Sequence, residues 1–305
     1  MEFFVQQLVN GVTLGSVYAL IALGYSMVYG ILKLLNFAHG EVYMMGAFIG
    51  YFVLIGLGGA ASPILPVAFV IILMFLAGML GAGILGIAIE RFAYRPLRNA
   101  PRIAPLISAI GVSFFLQASA LLIFSAQFRT YNTPAMIPFS VGIEVGPLRI
   151  SLVRILVITS AITLMIALWL LVNRTRLGKA MRATSYDREA AAMMGIDVDR
   201  VIVATFFIGS VLAGAAGVMV GLVFGRVFHF MGFIAGLKGF TAAVIGGIGN
   251  IPGAMLGGLL IGLAEAFSAA YISSTFQNLI VFGILITVML VRPSGLLGSP
   301  VLKKV

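Results

Sequence analysis

The chain reads ILPVAFVIILMFLAGMLGAGILGIAI from Ile64 to Ile89, which is 26 residues without a charged side chain. A helix needs roughly 20 mostly apolar residues to cross the hydrocarbon core of a bilayer, so this stretch predicts a transmembrane helix. The same composition extends along the whole chain, because 61% of its 305 residues are apolar and only 9% are charged. We therefore expect an all-α polytopic membrane protein that forms a single transmembrane domain, residues 1–305.

Hydropathy predicts nine membrane crossings, which lie near residues 5–30, 40–57, 64–90, 103–125, 151–172, 201–224, 233–249, 253–272 and 276–291. The seventh crossing is the weakest, because Lys238 and several glycines interrupt it. We expect it to be a broken or re-entrant helix, so that eight or nine segments span the membrane.

A short internal repetition links the first and sixth predicted spans. Gly15-Ser16-Val17, with Ala19 and Ala22, recurs as Gly209-Ser210-Val211, with Ala213 and Ala216. Because the two spans run in opposite directions, the match is what an inverted repeat produces, and such repeats are common in transporters. Small apolar residues also match by chance in a chain of this composition, and both explanations stay open.

The Lys and Arg residues are concentrated on one side of this topology. Short cytoplasmic loops of membrane proteins are rich in these residues, so this side is expected to be cytoplasmic. The C-terminus of this inner-membrane protein then lies in the cytoplasm and the N-terminus in the periplasm. The net charge of +10 has the same origin, so membrane lipid is an expected partner and nucleic acid is not. The residues of this side are Lys33, Arg91, Arg95, Arg98, Arg102, Arg174, Arg176, Lys179, Arg182, Arg188, Arg200, Arg292, Lys303 and Lys304.

The main loop of the opposite side, residues 126–150, contains Pro134, Pro138 and Pro147 and alternates polar with apolar residues. It predicts a compact extracytoplasmic loop with a hairpin. The loop is either a docking place for a partner or an ordinary exposed connection.

The chain lacks the residues that a metal site, an intramembrane enzyme or an ATPase would need. It has no cysteine, its two histidines are 190 positions apart, and it has no H-E-x-x-H motif, so little remains for a metal site or an intramembrane enzyme. The phosphate loop of ATPases is also absent, because Gly178-Lys179 is followed by Ala180 and lacks the upstream glycine. We expect no cofactor bound by this chain and no ATP hydrolysis by it.

The longest polar stretch of the basic side is residues 173–200. Its segment Asp187-Arg188-Glu189-Ala190-Ala191-Ala192 favours a helix, which Asp187 or Ser185 is placed to cap and Gly195 to end. This helix is either a solvated connection or a contact element. The spacing of Glu189-Ala190-Ala191, three residues, then Gly195 resembles the EAA loop with which ABC-importer permeases dock on an ATPase, although the Ile-x-Leu-Pro element of that family is missing. The expected docking residues are Arg182, Arg188, Glu189, Ala190, Ala191, Gly195 and Asp197.

Asn36, His39 and Glu41 form a polar group between the first two spans. Asn36 is placed to cap the second span, and Glu41 in its first turn would favour the helix dipole. The alternative is that the three residues border a permeation path or form a hinge, because polar groups at membrane depth are costly unless paired, solvated or lining a cavity.

Residues 246–253, GGIGNIPG, predict a break between two apolar helices, with Pro252 in the first turn of the second helix and Asn250 or Gly249 as its cap. The spacing of Gly253, Gly257, Gly258 and Gly262 predicts a helix-packing face. The functional alternative is a gate or path at Gly246, Gly247 and Asn250.

The acidic residues of the spans need a partner or water. Glu265 lies deep in its span, and Lys238 is positioned to be its partner. Glu90, next to Arg91, is expected at the membrane interface.

The motif NFAHGE, residues 36–41, the preceding ALIALGYSMVYG and the later GFTAAVIGGIGNIPGAMLGGLLIGLAE resemble LivH-type permeases of branched-chain amino acid importers. The resemblance covers essentially the whole chain. It implies a type II ABC importer permease fold, a second homologous permease subunit, two cytoplasmic ABC ATPase subunits that use ATP, and a periplasmic amino-acid-binding protein. It implies Leu, Ile and Val as substrates, with other amino acids, short amides or urea as alternatives. A different class, an ion-coupled secondary transporter, would use His39, Glu41 and Glu265 as coupling groups.

Overall fold

The computed structural model describes residues 2–98, 100–101, 103–145 and 148–298. Arg102, Pro147, Lys303 and Lys304 lie outside these residues. The helices are α1 Glu2–Leu32, α2 His39–Gly56, α3 Val67–Ile89, α4 Ile103–Phe124, α5 Thr133–Met136, α6 Leu152–Arg174, α7 Arg176–Tyr186, α8 Arg188–Met193, α9 Val198–Phe224, α10 Met231–Gly246, α11 Ile251–Tyr271 and α12 Gln277–Val291. A π-helical turn, Glu90–Tyr94, and a 3₁₀ turn, Arg95–Leu97, extend α3, and a second 3₁₀ turn, Ser274–Phe276, precedes α12.

Seven helical stretches are long and apolar enough to cross a membrane, and they contain α1, α3, α4, α6, α9, α11 and α12. Of the two remaining predicted spans, α2 has 18 residues and includes the polar His39 and Glu41 in its first turn, and α10 is a shorter apolar helix of 16 residues. The predicted all-α polytopic fold is therefore confirmed. In contrast to the expected interruption at Lys238, α10 continues through this residue, because the charge is paired within the bundle.

The helices differ strongly in how much of their surface the chain itself covers. Within the most apolar 18-residue stretch of each helix, 89% of the residues of α1 and 72% of those of α9 are buried, against 22% in α6 and 6% in the stretch that contains α12. The exposed residues of α4, α6 and α12 are mostly large and apolar, such as Phe114, Ile166 and Leu279. Helices of this composition are suited to face lipid or another membrane subunit, with α1 and α9 at the centre.

The central helices pack in a reciprocal pattern. Helix α1 packs mainly against α11, whereas α9 packs mainly against α3. The short helix α2 packs on α9 and α3, and the short helix α10 packs on α1 and α11. The first turns of α2 and α10 meet, and Gly40 lies against Gly232 and Gly236 without room for a side chain. This exchange of equivalent contacts between the two halves of the chain is the packing that an inverted repeat predicts.

The glycines of α11 form the packing face that their spacing predicts. Gly258 and Gly262 lie against the backbone of α1, at Ala19 and Gly15. Gly253 and Gly257 lie on a second face, against the last turns of α10. Small residues thus bring α1, α10 and α11 into close backbone contact.

We call the two ends of the bundle the basic end, which contains Lys33, Arg98 and residues 174–200, and the opposite end. At the opposite end, β1 Arg129–Thr130 pairs antiparallel with β4 Arg226–Val227. Strands β2 Gly142–Val145 and β3 Leu148–Ser151 form an antiparallel hairpin, which confirms the predicted hairpin of this loop. The buried Tyr131 donates a hydrogen bond of 2.6 Å to the carbonyl of Ala47 and fixes the loop to α2.

Candidate functional site

The loop at the basic end folds as two helices, α7 and α8, with sharp turns around α8. The Asp187 carboxylate accepts hydrogen bonds from the amides of Glu189 (2.9 Å) and Ala190 (3.0 Å), which confirms it as the N-cap of α8. Gly195 follows the helix with φ of +81°, a conformation that glycine adopts without steric cost. Asp197 caps the next helix, α9, through the Arg200 amide. The predicted helix and both of its ends are confirmed.

The expected docking residues are mostly at the surface. Arg182, Glu189, Ala190, Gly195 and Asp197 are exposed, whereas Arg188 is partly buried and Ala191 is buried against the bundle. The sequence analysis missed the exposed apolar residues beside them, which are Tyr186, Met193 and Met194. Two adjacent methionines in a polar loop are the signal that indicates such an apolar contact surface.

Two sets of contacts fix this loop to the helices of the bundle. The guanidinium of Arg188 donates to the carbonyl of Ile31 in the last turn of α1, through Nη2 at 2.8 Å and Nε at 3.2 Å. On the other side, Arg98 bridges Glu90 at the end of α3 and Asp199 in the first turn of α9. Any displacement of α8 therefore acts directly on the end of α1.

Glu90 lies at the basic end of the bundle, where protein encloses it. Its side chain is 0% exposed, and its partner is Arg98 rather than the neighbouring Arg91, which is exposed. The π-helical turn after Ile89 and the 3₁₀ turn that follows fold the chain back, so that Arg98 lies beside the carboxylate.

The polar group near the start of α2 is buried in the bundle. Helix α2 begins at His39, and Ala38 occupies the cap position, so the predicted cap by Asn36 is wrong. The chain from Lys33 to Phe37 is not helical, and the side chain of Asn36 instead accepts a hydrogen bond of 3.2 Å from Tyr94. His39 is also fully buried, and its Nε2 has no hydrogen-bond partner among the described residues.

Glu41 lies in the first turn of α2, as predicted, and contacts α4. One carboxylate oxygen accepts hydrogen bonds from Gln117 (2.7 Å) and Ser113 (3.2 Å). The other oxygen is buried, has no hydrogen-bond partner among the described residues and lies next to Gly232 of α10. Glu41 thus occupies the place where α2, α4 and α10 meet.

Glu265 has the partner that the sequence analysis placed near it. Lys238 of α10 donates to one carboxylate oxygen at 2.6 Å, and Tyr18 of α1 donates to the other at 2.9 Å. Lys238 is 4% exposed and Glu265 is 7% exposed, so the pair is enclosed by protein. It connects three central helices inside the bundle.

The break between α10 and α11 lies at residues 247–250, at the basic end. Asn250 caps α11 by accepting from the Gly253 amide at 3.1 Å, as predicted. Gly247 has φ of +108°, and its surroundings leave no room for a side chain. The chain that follows α12 returns to this break: the amides of Leu296 and Leu297 donate to the last carbonyls of α10, and Asn250 donates to the Leu297 carbonyl at 2.6 Å.

A cavity of about 1000 Å³ opens at the basic end, between α1, α6, α7 and the break. Its lining is mainly apolar and includes Met27, Phe240 and Met289, with polar groups from Ser26 and Asn173. Of the residues expected at a path or a docking surface, Arg182 and Asn250 line it. Asn36, His39, Glu41, Gly246 and Glu265 are buried in the surrounding helices, and Gly247 lies beneath the returning chain.

These features define a multi-pass membrane protein with a cavity and a short exposed helix at the same end. The family model described as the branched-chain amino acid transport system / permease component matches residues 7–290. The chain therefore belongs to this permease family.

The full-length relatives carry the same description. The chain is 45% identical over 305 residues to the high-affinity branched-chain amino acid transport system permease protein BraD of Pseudomonas aeruginosa, with 99% of this chain and 98% of that protein covered. It is 44% identical over 320 residues to the corresponding LivH of Escherichia coli (strain K12), with the same coverage. Identity to the probable LivH of Methanocaldococcus jannaschii is 28% over 296 residues, covering 92% of this chain and 88% of that protein. No solved structure matches the chain.

Proposed function

We propose that this chain is the membrane-spanning permease subunit of an ATP-driven importer that carries Leu, Ile and Val across the inner membrane. The observation that carries the proposal is the loop at residues 173–200: it presents a capped, exposed helix and is bonded to α1 through Arg188. The names of the full-length relatives support branched-chain amino acids as substrates. The chain acts as a single transmembrane domain, residues 1–305, and its function is translocation rather than catalysis.

The importer contains subunits that this chain does not supply. Two cytoplasmic ABC ATPases are expected to bind and hydrolyse ATP, because this sequence has no phosphate loop. No cofactor is expected to bind to this chain itself. A second homologous permease packs beside the chain, and a periplasmic binding protein delivers the amino acid. The basic end faces the cytoplasm, and the N-terminus of α1 faces the periplasm.

The docking surface is the loop around α8, in which Arg188 is partly buried, Ala191 is buried and the other residues are exposed. Alanines on α8 give it a narrow face that enters a cleft of the ATPase, and charged residues around it fix the orientation. The surface comprises Arg182, Arg188, Glu189, Ala190, Ala191, Gly195 and Asp197, together with the exposed Tyr186, Met193 and Met194.

The translocation path uses the cavity at the basic end as its cytoplasmic exit, with Asn250 on its wall. The buried residues around it act as hinge or support groups when the helices reorient, because they pack between neighbouring segments rather than facing open space. These residues are Asn36, His39, Glu41, Gly246, Gly247 and Glu265.

The proposal is tested by purifying the tagged chain in mild detergent, identifying the subunits that co-purify and measuring uptake of labelled leucine in vesicles. We expect P-loop ATPases and a second permease to co-purify, and uptake to require ATP. Recovery of this chain alone, with uptake driven by an ion gradient without ATP, would assign it to the secondary transporters. Uptake of an amide or urea in place of leucine would correct the substrate only.

A further inference from the structure

A second, smaller cavity of about 330 Å³ lies at the basic end, between the end of α1, the turns that follow α3 and the junction of α7 with α8. Three basic side chains line it, those of Lys33, Arg98 and Arg188. It adjoins the larger cavity, with which it shares Ile31, Lys33 and Ser185. Arg98, Thr184 and Arg188 line only the smaller cavity.

Positive charge exceeds negative charge around this small cavity. Among the described residues, the acidic groups that form ion pairs with its basic residues are Glu90 and Asp199, and both are bound to Arg98. Asp199 is shared with Arg95, which adds another positive charge. Burial and the nearby positive charge of Arg98 lower the pKa of Arg188, so the two guanidinium groups lie close enough to repel each other.

The cavity also has hydrogen-bond donors without protein acceptors. Nε of Arg98 and Oγ1 of Thr184 are buried and have no partner among the described residues, and Thr184 is 1% exposed. Arg188 uses Nε and Nη2 to bind Ile31, which leaves its Nη1 for another acceptor. Buried donors of this kind are normally satisfied in a native protein, so a missing acceptor is expected here.

We propose that this cavity binds an anionic phosphate ester, the headgroup of a membrane phospholipid. Guanidinium groups bind phosphate oxygens strongly and with defined geometry. Basic cavities between the ends of membrane helices on the cytoplasmic side are suited to anionic headgroups. Inorganic phosphate would offer the same acceptor oxygens without the acyl chains.

A bound headgroup would neutralise Arg98 and Arg188 and join the end of α1 to the helix α8. It would therefore stabilise the connection through which α8 acts on the bundle. This inference does not depend on the identity of the transported substrate.

The test uses the full-length chain purified in mild detergent together with the subunits that co-purify with it. Native mass spectrometry then compares retention of phosphatidylglycerol with that of phosphatidylcholine by the wild type and by Lys33→Gln and Thr184→Val. We expect preferential retention of phosphatidylglycerol by the wild type and a loss of about fivefold in each variant, which corresponds to one charge or one charge-assisted hydrogen bond. Thr184→Val should keep the wild-type melting temperature in lipid-free detergent, because the hydroxyl has no protein partner.

Lys179→Gln is the matched control, since Lys179 is an exposed basic residue of α7 that lines neither cavity. Equal loss in Lys179→Gln and Lys33→Gln would overturn the proposal, because binding would then follow total charge. The proposal would also be overturned if the wild type showed no preference for phosphatidylglycerol and if millimolar inorganic phosphate did not raise its melting temperature. If millimolar inorganic phosphate raised the melting temperature and no lipid preference was found, the phosphate site would be upheld and its ligand would be the soluble ion. Neither Lys33 nor Thr184 belongs to the proposed docking residues, so these results are independent of the pull-down result.

Discussion

The ion pair between Lys238 and Glu265 is buried among the central helices. Two charges removed from water are stabilised only when geometry is good and the remaining hydrogen-bonding capacity is used. Here Lys238 binds one carboxylate oxygen at 2.6 Å and Tyr18 binds the other. Removal of one partner would leave the other charge uncompensated among apolar helices.

We expect Lys238→Met to lower the free energy of unfolding by about 3–5 kcal/mol, because it leaves the Glu265 carboxylate buried without a counter-ion. The double variant Lys238→Met with Glu265→Leu removes both charges and should recover at least half of this loss. The measurement is the unfolding of the purified protein in mild detergent. Equal stability of the single and double variants would show that the pair is not a coupled unit.

Individual contacts differed in how far the sequence could predict them. The pairing of Glu265 with Lys238 was predictable, because a buried acid needs a counter-ion and Lys238 is the basic residue within a nearby span. The partner of Glu90 was not predictable, because the two turns that bring Arg98 back beside it have no clear sequence signal. The partners of Glu41 on α4 were not predictable, since Ser113 and Gln117 are uncharged and more than 70 positions away.

At the scale of the element, the contact between α1 and α11 depends on glycine. A β-carbon at Gly258 or Gly262 would collide with backbone atoms of α1, at Ala19 and Gly15, which cannot move without displacing the helix. Close approach of helices is a principal source of stability in a membrane, where no hydrophobic force drives association.

Gly258→Ala and Gly262→Ala are therefore each expected to lower the free energy of unfolding by about 1–3 kcal/mol through overpacking. Gly111→Ala in α4 and Gly283→Ala in α12 are matched controls, because their β-carbons would meet no atom within 4 Å. The controls should be neutral or slightly stabilising, since alanine favours a helix more than glycine does. Melting temperatures in detergent provide the comparison, and equal losses in all four variants would contradict this account of the contact.

The helix α8 gives a second prediction at this scale. Glu189→Lys reverses a charge on its exposed face, and Gly195→Glu places a side chain at a residue with φ of +81°. Under the proposed function, we expect each variant to reduce leucine uptake at least tenfold while the chain stays inserted in the membrane. Uptake and the amount of ATPase that co-purifies are measured together.

Arg91→Glu is the control for charge reversal, because Arg91 is exposed near the same end of the bundle but outside the loop. Its uptake should stay close to that of the wild type. Normal uptake by Glu189→Lys and Gly195→Glu would remove α8 as the docking element.

At the scale of the whole molecule, hydropathy predicted the order and approximate positions of the long helices and of α2 and α10, but not their partners. Hydropathy locates an apolar helix without indicating which neighbour covers it, and α1, α9 and α12 are all strongly apolar. The share of buried residues in their most apolar stretches nevertheless ranges from 89% for α1 to 6% for α12. The breaks and caps around Asn250 and Asp187 were predictable because glycine, proline and capping residues act locally.

The chain after α12 closes the break between α10 and α11, which makes its removal a test at this scale. Deletion from Arg292 onward removes the hydrogen bonds from Leu296 and Leu297 to α10 and the one from Asn250. We expect a loss of about 2–4 kcal/mol in the free energy of unfolding, at about 1 kcal/mol for each bond. A chain that ends after Gly298 keeps all three bonds and is the control. Equal melting temperatures for the two truncated chains would contradict the role of this segment.

The contact between α1 and α11 can form only late in biosynthesis, after α11 has been synthesised. Roughly 220 residues separate the end of α1 from the start of α11, so a ribosome that adds ~5–20 residues/s needs on the order of 10–40 s between them. During that interval the glycine-lined face of α1 has no permanent neighbour, although it becomes the most enclosed surface of the finished protein. A nascent α1 is therefore expected to lodge beside the translocon or an insertase until α11 emerges, and depletion of such a holding factor should expose the chain to membrane proteases.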